Sequence, residues 1–235
     1  METREKILEK LSEAIRVRED GNLKESRQLF SELIKETSSL RNSQGLEDKN
    51  LYVRISSEWV IQLRLEGKSL FSEALKEARK IYDYSQANNL KNPRAVRGLS
   101  NTLMDMRNYE IAEGYLREMI NLVPAGDSAR AGDAMAHLAI CFLRMGKVSK
   151  AQDTINEAIS KIEADTGGSD SLEIAVWKSH AFIVLALILN SKGRVKEAIQ
   201  YAKEALEMAK KEKAFQRVQD ATKTIDYLES KLKLK

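Results

Sequence analysis

Cysteine, histidine and proline are nearly missing from this 235-residue chain, which has one Cys (Cys141), two His (His137 and His180) and two Pro (Pro93 and Pro124). A single cysteine excludes a disulfide framework, and one Cys with two His cannot supply a Cys/His zinc cluster. Ordinary usage would put proline near about 5% of residues, so little here breaks helices. Valine, the commonest strand former, occurs ten times. These shortages favour an all-helical chain. Long apolar runs are also missing. The longest, residues 181–189, is well short of the roughly 20 residues a membrane-spanning helix needs, and so reads as part of a buried helix. Residues 1–6 are charged and lack the apolar core of a signal peptide, so a cytoplasmic location is expected. The chain contains neither a G-x-x-x-x-G-K-[ST] loop nor a G-x-G-x-x-G turn after a strand. Cys141 stands beside Phe142 in an apolar helical stripe, where an inert buried thiol is expected. His137 and His180 read as ordinary helix-surface or groove residues. No catalytic residue, metal or cofactor is therefore expected, and the chain reads as a non-enzyme.

What is present in quantity is charge, with 39 Lys+Arg against 35 Asp+Glu, a formal net charge of +4. Residues 203–235 hold nine Lys/Arg against six acids, so most of the excess lies in that tail. Its lysines and glutamates interleave at helical spacing, which suits a solvated helix face better than a nucleic-acid-binding stripe.

A repeat organises the rest. Five times a helix ends at a turn and a second helix opens on a small residue: Ser26, Ala74, Ala112, Ala151 and Ala198, at intervals of 48, 38, 39 and 47. Around the third turn Val96, Leu99, Ser100 and Leu103 follow the i, i+3, i+4, i+7 spacing of one helical face, and Ala112, Leu116, Met119 and Ile120 follow it afterwards. Two amphipathic helices joined by a few residues lie antiparallel, and the small residue lets their backbones approach. Such a hairpin cannot bury both apolar faces alone, so hairpins stack. The expected hairpins are residues 2–38, 49–88, 93–122, 127–164 and 170–212, followed by a capping helix over 214–233, all in one domain. Residues 37–50 and 164–171 read as loops. Pro93 suits a first helical turn, and Asp127 and Asp170 or Ser171 are candidate N-caps. On the capping helix Phe215, Val218, Ala221, Thr222, Ile225 and Leu228 share one face.

These repeats resemble the tetratricopeptide repeat (TPR) family, whose pattern W-x2-L-G-x2-Y, A-x3-F, P falls on Val96, Leu99, Ser100, Leu103, Ala112, Leu116 and Pro124 in the third copy. In the fourth it falls on Met135, Leu138, Ala139, Phe142, Ala151 and Ile155, and in the fifth on Phe182, Leu185, Ala186, Leu189, Ala198 and Ala202. The resemblance covers about residues 5–210, with intervals longer than the family's usual period of about 34 residues. It implies an all-α solenoid that presents its first helices to a partner. The implied groove residues are Arg54, Ser57, Ile61, Arg64, Arg94, Arg97, Asn101 and Met104 in the second and third hairpins. In the fourth and fifth they are Asp133, Ala136, His137, Ile140, Leu143, His180, Ile183, Leu187 and Asn190. The first set is basic and the second mainly apolar. Guanidinium groups suit carboxylates and apolar positions suit side-chain anchors, so the expected partner is a protein or peptide, acidic with hydrophobic anchors. Arg97 and Asn101 match the first pair of the carboxylate clamp of chaperone-binding TPR domains. His137, His180 and Val184 do not match the rest, so a chaperone co-factor is not implied. The expected function is a non-catalytic interaction scaffold. The alternatives are a regulatory sensor for a small peptide or ligand, or a homodimer joined through Leu8, Leu11, Ile15, Ile183 and Leu187.

Overall fold

The computed structural model describes residues 3–165 and 171–233. Among the described residues there are eleven α-helices and no strand: α1 (Arg4–Glu19), α2 (Leu23–Glu36), α3 (Leu46–Leu65), α4 (Phe71–Ala87), α5 (Pro93–Asp105), α6 (Tyr109–Leu122), α7 (Ser128–Arg144), α8 (Val148–Glu163), α9 (Ser171–Ser191), α10 (Val195–Lys211) and α11 (Phe215–Lys233). The fold class is the all-α one that the repeats imply, five helical hairpins and a final helix. Residues 37–50 differ from a plain loop. Ser38–Asn42 form a 3-10 turn and α3 already begins at Leu46. Asp48 accepts a hydrogen bond from the Ser43 hydroxyl at 2.7 Å, which secures that entry. The expected loop over 164–171 and the Asp170 cap fall largely outside the described residues.

The small residue that opens each second helix is buried in every copy, with Ser26, Ala74, Ala112, Ala151 and Ala198 all at 0% exposure. Helix starts follow local chemistry. The side chains of Asn22, Asn92 and Asp127 each accept a hydrogen bond from a backbone N–H of the first turn, and Pro93 occupies a position whose N–H needs no partner. Hairpin turns need a left-handed residue. Gly146 (φ 75) donates to the Leu143 carbonyl and Lys147 N to the Phe142 carbonyl. The same turn in the third hairpin is made by Arg107 (φ 64), a side chain in a region that favours glycine.

The chain divides into two compact units, Met1–Tyr115 and Leu116–Lys235. In the first, Leu11, Phe30, Leu33 and Ile55 are buried around α1, α2 and α3, with Leu8, Ile15 and Trp59 packed against them. Leu11 is thus covered within the chain, while Leu8 and Ile15 stay half-buried. In the second unit α9 is packed on by α7, α8, α10 and α11. That accounts for its being apolar on nearly every side. By length and composition α9 could cross a membrane, but most of it is buried inside the fold. Ile183 and Phe182 of α9 form a cluster with Ala205 of α10 and Ala221 of α11. The final helix therefore covers one flank of α9. Phe215 and Thr222, expected on its apolar face, are instead exposed, and the residues of that face that α11 buries are Ala221, Ile225 and Leu228.

Candidate functional site

In Met1–Tyr115 the expected groove residues separate by depth. Arg54 and Arg94 are exposed and Ile61, Arg64 and Arg97 half-buried, whereas Ser57, Asn101 and Met104 are buried at 5%, 7% and 5% exposure. The difference in depth has a physical cause. A first helix packs against the preceding first helix as well as its own partner, so positions off the main apolar stripe are covered too, as α3 and α5 do to each other. The basic character is also lower than the residue list suggests. Arg64 Nε donates to Asp105 at 2.8 Å, and Arg94 Nη1 stands 3.9 Å from Glu58, which already holds the buried Arg18 at 2.8 Å. Two side-chain oxygens, Ser57 Oγ and Asn101 Oδ1, are buried with no hydrogen-bond partner in the structure. Buried polar atoms without a partner are rare and call for an explanation.

In Leu116–Lys235, Ile140, Leu143, Leu187 and Asn190 are half-buried, while Ala136, Asp133 and Ile183 are buried at 0%, 3% and 6% exposure. Ile183 leaves the accessible set because α11 packs over it. The sequence places His137 and His180 apart as two unremarkable residues, but the fold sets their rings 4.5 Å apart. Both face one carboxylate oxygen: His137 Nε2 and His180 Nδ1 lie 3.9 and 3.8 Å from Asp133 Oδ1. Asp133 and His137 share a face of α7 because they are four residues apart. Contact between α7 and α9 supplies the third member. Burial holds the His180 imidazole below the usual histidine range despite the pull of Asp133, so the ring is neutral at neutral pH. The Asp133/His137 spacing was the one sign of this cluster in the sequence. His180 could not be joined to it without knowing how the hairpins pack. Cys141 is buried, as its apolar stripe implied.

Residues 179–212, the end of α9 and all of α10 with the turn between them, match the tetratricopeptide repeat model. Among solved structures, a thermophilic TPR protein of Thermus thermophilus is 19% identical, with a TM-score of 0.60 over 92% of this chain and 97% of that one. Residues 179–212 thus match a tetratricopeptide repeat, and the fold of the chain is that of TPR solenoid proteins. BtubC from P. vanneervenii is also 19% identical to this chain, with a TM-score of 0.60 over 83% of it and 76% of BtubC. A Signal Transduction ATPase with Numerous Domains from Pyrococcus horikoshii, described as having a tetratricopeptide repeat sensor, is 16% identical with a TM-score of 0.59, covering 92% of this chain and 31% of that one. At these identities the likeness is one of fold. No curated protein matches the sequence. The TPR fold in general supports a protein-interaction scaffold, since stacked helical hairpins expose one row of helices to a partner.

Proposed function

We propose that this TPR protein is a non-catalytic scaffold that binds a peptide or helix of a partner protein on its first helices. The supporting observation is a surface in Met1–Tyr115 where Arg54 and Ile61 of α3 and Arg97 of α5 are exposed or half-buried. Carboxylates of an incoming segment would meet the guanidinium groups. The partner is accordingly an acidic segment with a hydrophobic anchor against Ile61. Selection from an unbiased displayed peptide library tests this. Acidic peptides should be enriched, and Arg54→Glu with Arg97→Glu should weaken their binding at least about tenfold with circular dichroism unchanged. Equal binding by the double variant would reject the assignment. Arg64 is a poorer probe, because reversing its charge also sets two carboxylates against each other at Asp105.

A second reading, a regulatory sensor, draws on the sensor described for the P. horikoshii protein. A short free peptide that raises the melting temperature without any larger partner would favour it. Homodimerisation through α1 and α9 is disfavoured by Leu11 and Ile183, which the chain itself buries.

A further inference from the structure

We infer that Asp133, His137 and His180 form a binding site for a divalent transition-metal ion of the zinc class. The three residues each offer one ligand atom, and these atoms lie within 4.8 Å of one another. The side chains are 4%, 13% and 12% exposed, so all three donors are largely withdrawn from water. Two features fit a shared cation. Asp133 Oδ1 stands at distances of 3.8 and 3.9 Å from His180 Nδ1 and His137 Nε2. They are close to the separation of two donors that share one ion at about 2.0–2.2 Å from each. Further, His180 Nδ1 is a buried nitrogen with no hydrogen-bond partner in the structure, and it is the atom turned toward Asp133. A cation between the three would satisfy it.

The donor set selects the ion. Two imidazoles and one carboxylate suit Zn2+, Co2+ and Ni2+, whereas Ca2+ and Mg2+ prefer all-oxygen sets. Asp133 supplies the negative charge. The next charged groups acting on His180, Arg217 and Asp220 of α11, are paired with each other at 3.0 Å and largely cancel. Three protein ligands leave a fourth position for water. Because Asp133 and His137 lie on α7 and His180 on α9, the ion would tie two successive first helices together. This inference does not depend on the proposed peptide surface, which lies in the other unit.

The chain's only two histidines are the two proposed ligands, so wild-type protein without a histidine tag gives a decisive measurement. After chelator treatment, Co2+ alone should bind at one ion per chain with visible d–d absorption, and Zn2+ should displace it. X-ray absorption of the Zn2+ complex should count two imidazoles. Saturating Zn2+ should raise the melting temperature by about 5 °C, the shift expected when a ligand stands well above its dissociation constant. His180→Gln and His137→Gln should each abolish the Co2+ spectrum while keeping the helical circular dichroism. A Zn2+ complex with fewer than two imidazoles, or no Co2+ binding by folded wild-type protein at tens-of-micromolar metal, would overturn the site. These wild-type readings decide the matter even if a variant fails to fold.

Discussion

The two units bury different things. In Met1–Tyr115 the interior is keyed by polar side chains. Arg18 reaches Glu58 from α1 to α3 and lies over the Phe30 ring, and Gln62 of α3 donates to the Leu23 carbonyl at 2.9 Å and accepts from the Ser26 hydroxyl at 2.9 Å. In Leu116–Lys235 the interior is mostly alanine, aliphatic and aromatic side chains, and Asp133 and Ser179 are the polar residues buried there among the described residues. Close approach replaces hydrogen bonding. A Cβ at Gly132 of α7 would lie 2.5 Å from the Ala158 carbonyl oxygen and 2.7 Å from Ile162 Cγ1 of α8. One architecture is thus held by two kinds of contact. The polar kind is directional and fails when a partner is removed, and the close-packed kind fails when an atom is added.

Four substitutions would sharpen or break this contrast. Arg18→Met should have the largest effect, about 3–5 kcal/mol, because it strands the buried Glu58 carboxylate. Chemical denaturation measures it, and pairing it with Glu58→Leu should recover most of the loss. If Arg18→Met alone costs under about 1 kcal/mol, the polar key is not what holds the first unit. Gly132→Ala should come next, costing about 1–3 kcal/mol despite alanine's better helix propensity, since backbone as well as side chain must shift. Hydrogen exchange should show faster opening of α7 and α8 while α1–α4 stay protected. A neutral outcome would mean that these helices are not locked in contact. Gln62→Leu should cost about 1–3 kcal/mol by leaving the Leu23 carbonyl without that donor, again read as faster exchange in the first unit. Arg107→Gly should be smallest and of opposite sign, a gain of about 0.5–1 kcal/mol from relief of the left-handed turn, seen as a higher melting temperature.

Much of the fold is legible along the chain because its causes are local. The alternation of stripes, the small residues at 26, 74, 112, 151 and 198, the Asp127 cap and the Pro93 start each depend on neighbours within a turn or two. The candidate surfaces were only half legible. A stripe of apolar residues shows which side of a helix faces its own partner. It does not show that α5 also buries Asn101, or that α11 lies over Ile183. Gly132 reads as an ordinary helix glycine until Ala158 is placed opposite it.

The sequence by itself determined that this protein is a row of helical hairpins of TPR type, since periodicity, capping and turn chemistry act over a few residues and are written in order. Only the tertiary structure decided which first-helix side chains stay accessible, which arginines are already paired, and that His180 joins Asp133 and His137 from 43 residues farther along the chain. Those outcomes depend on the packing of α3 against α5, of α7 against α9 and of α9 against α11. Packing is the sum of many weak contacts between elements distant in sequence, so no short stretch of the chain records it.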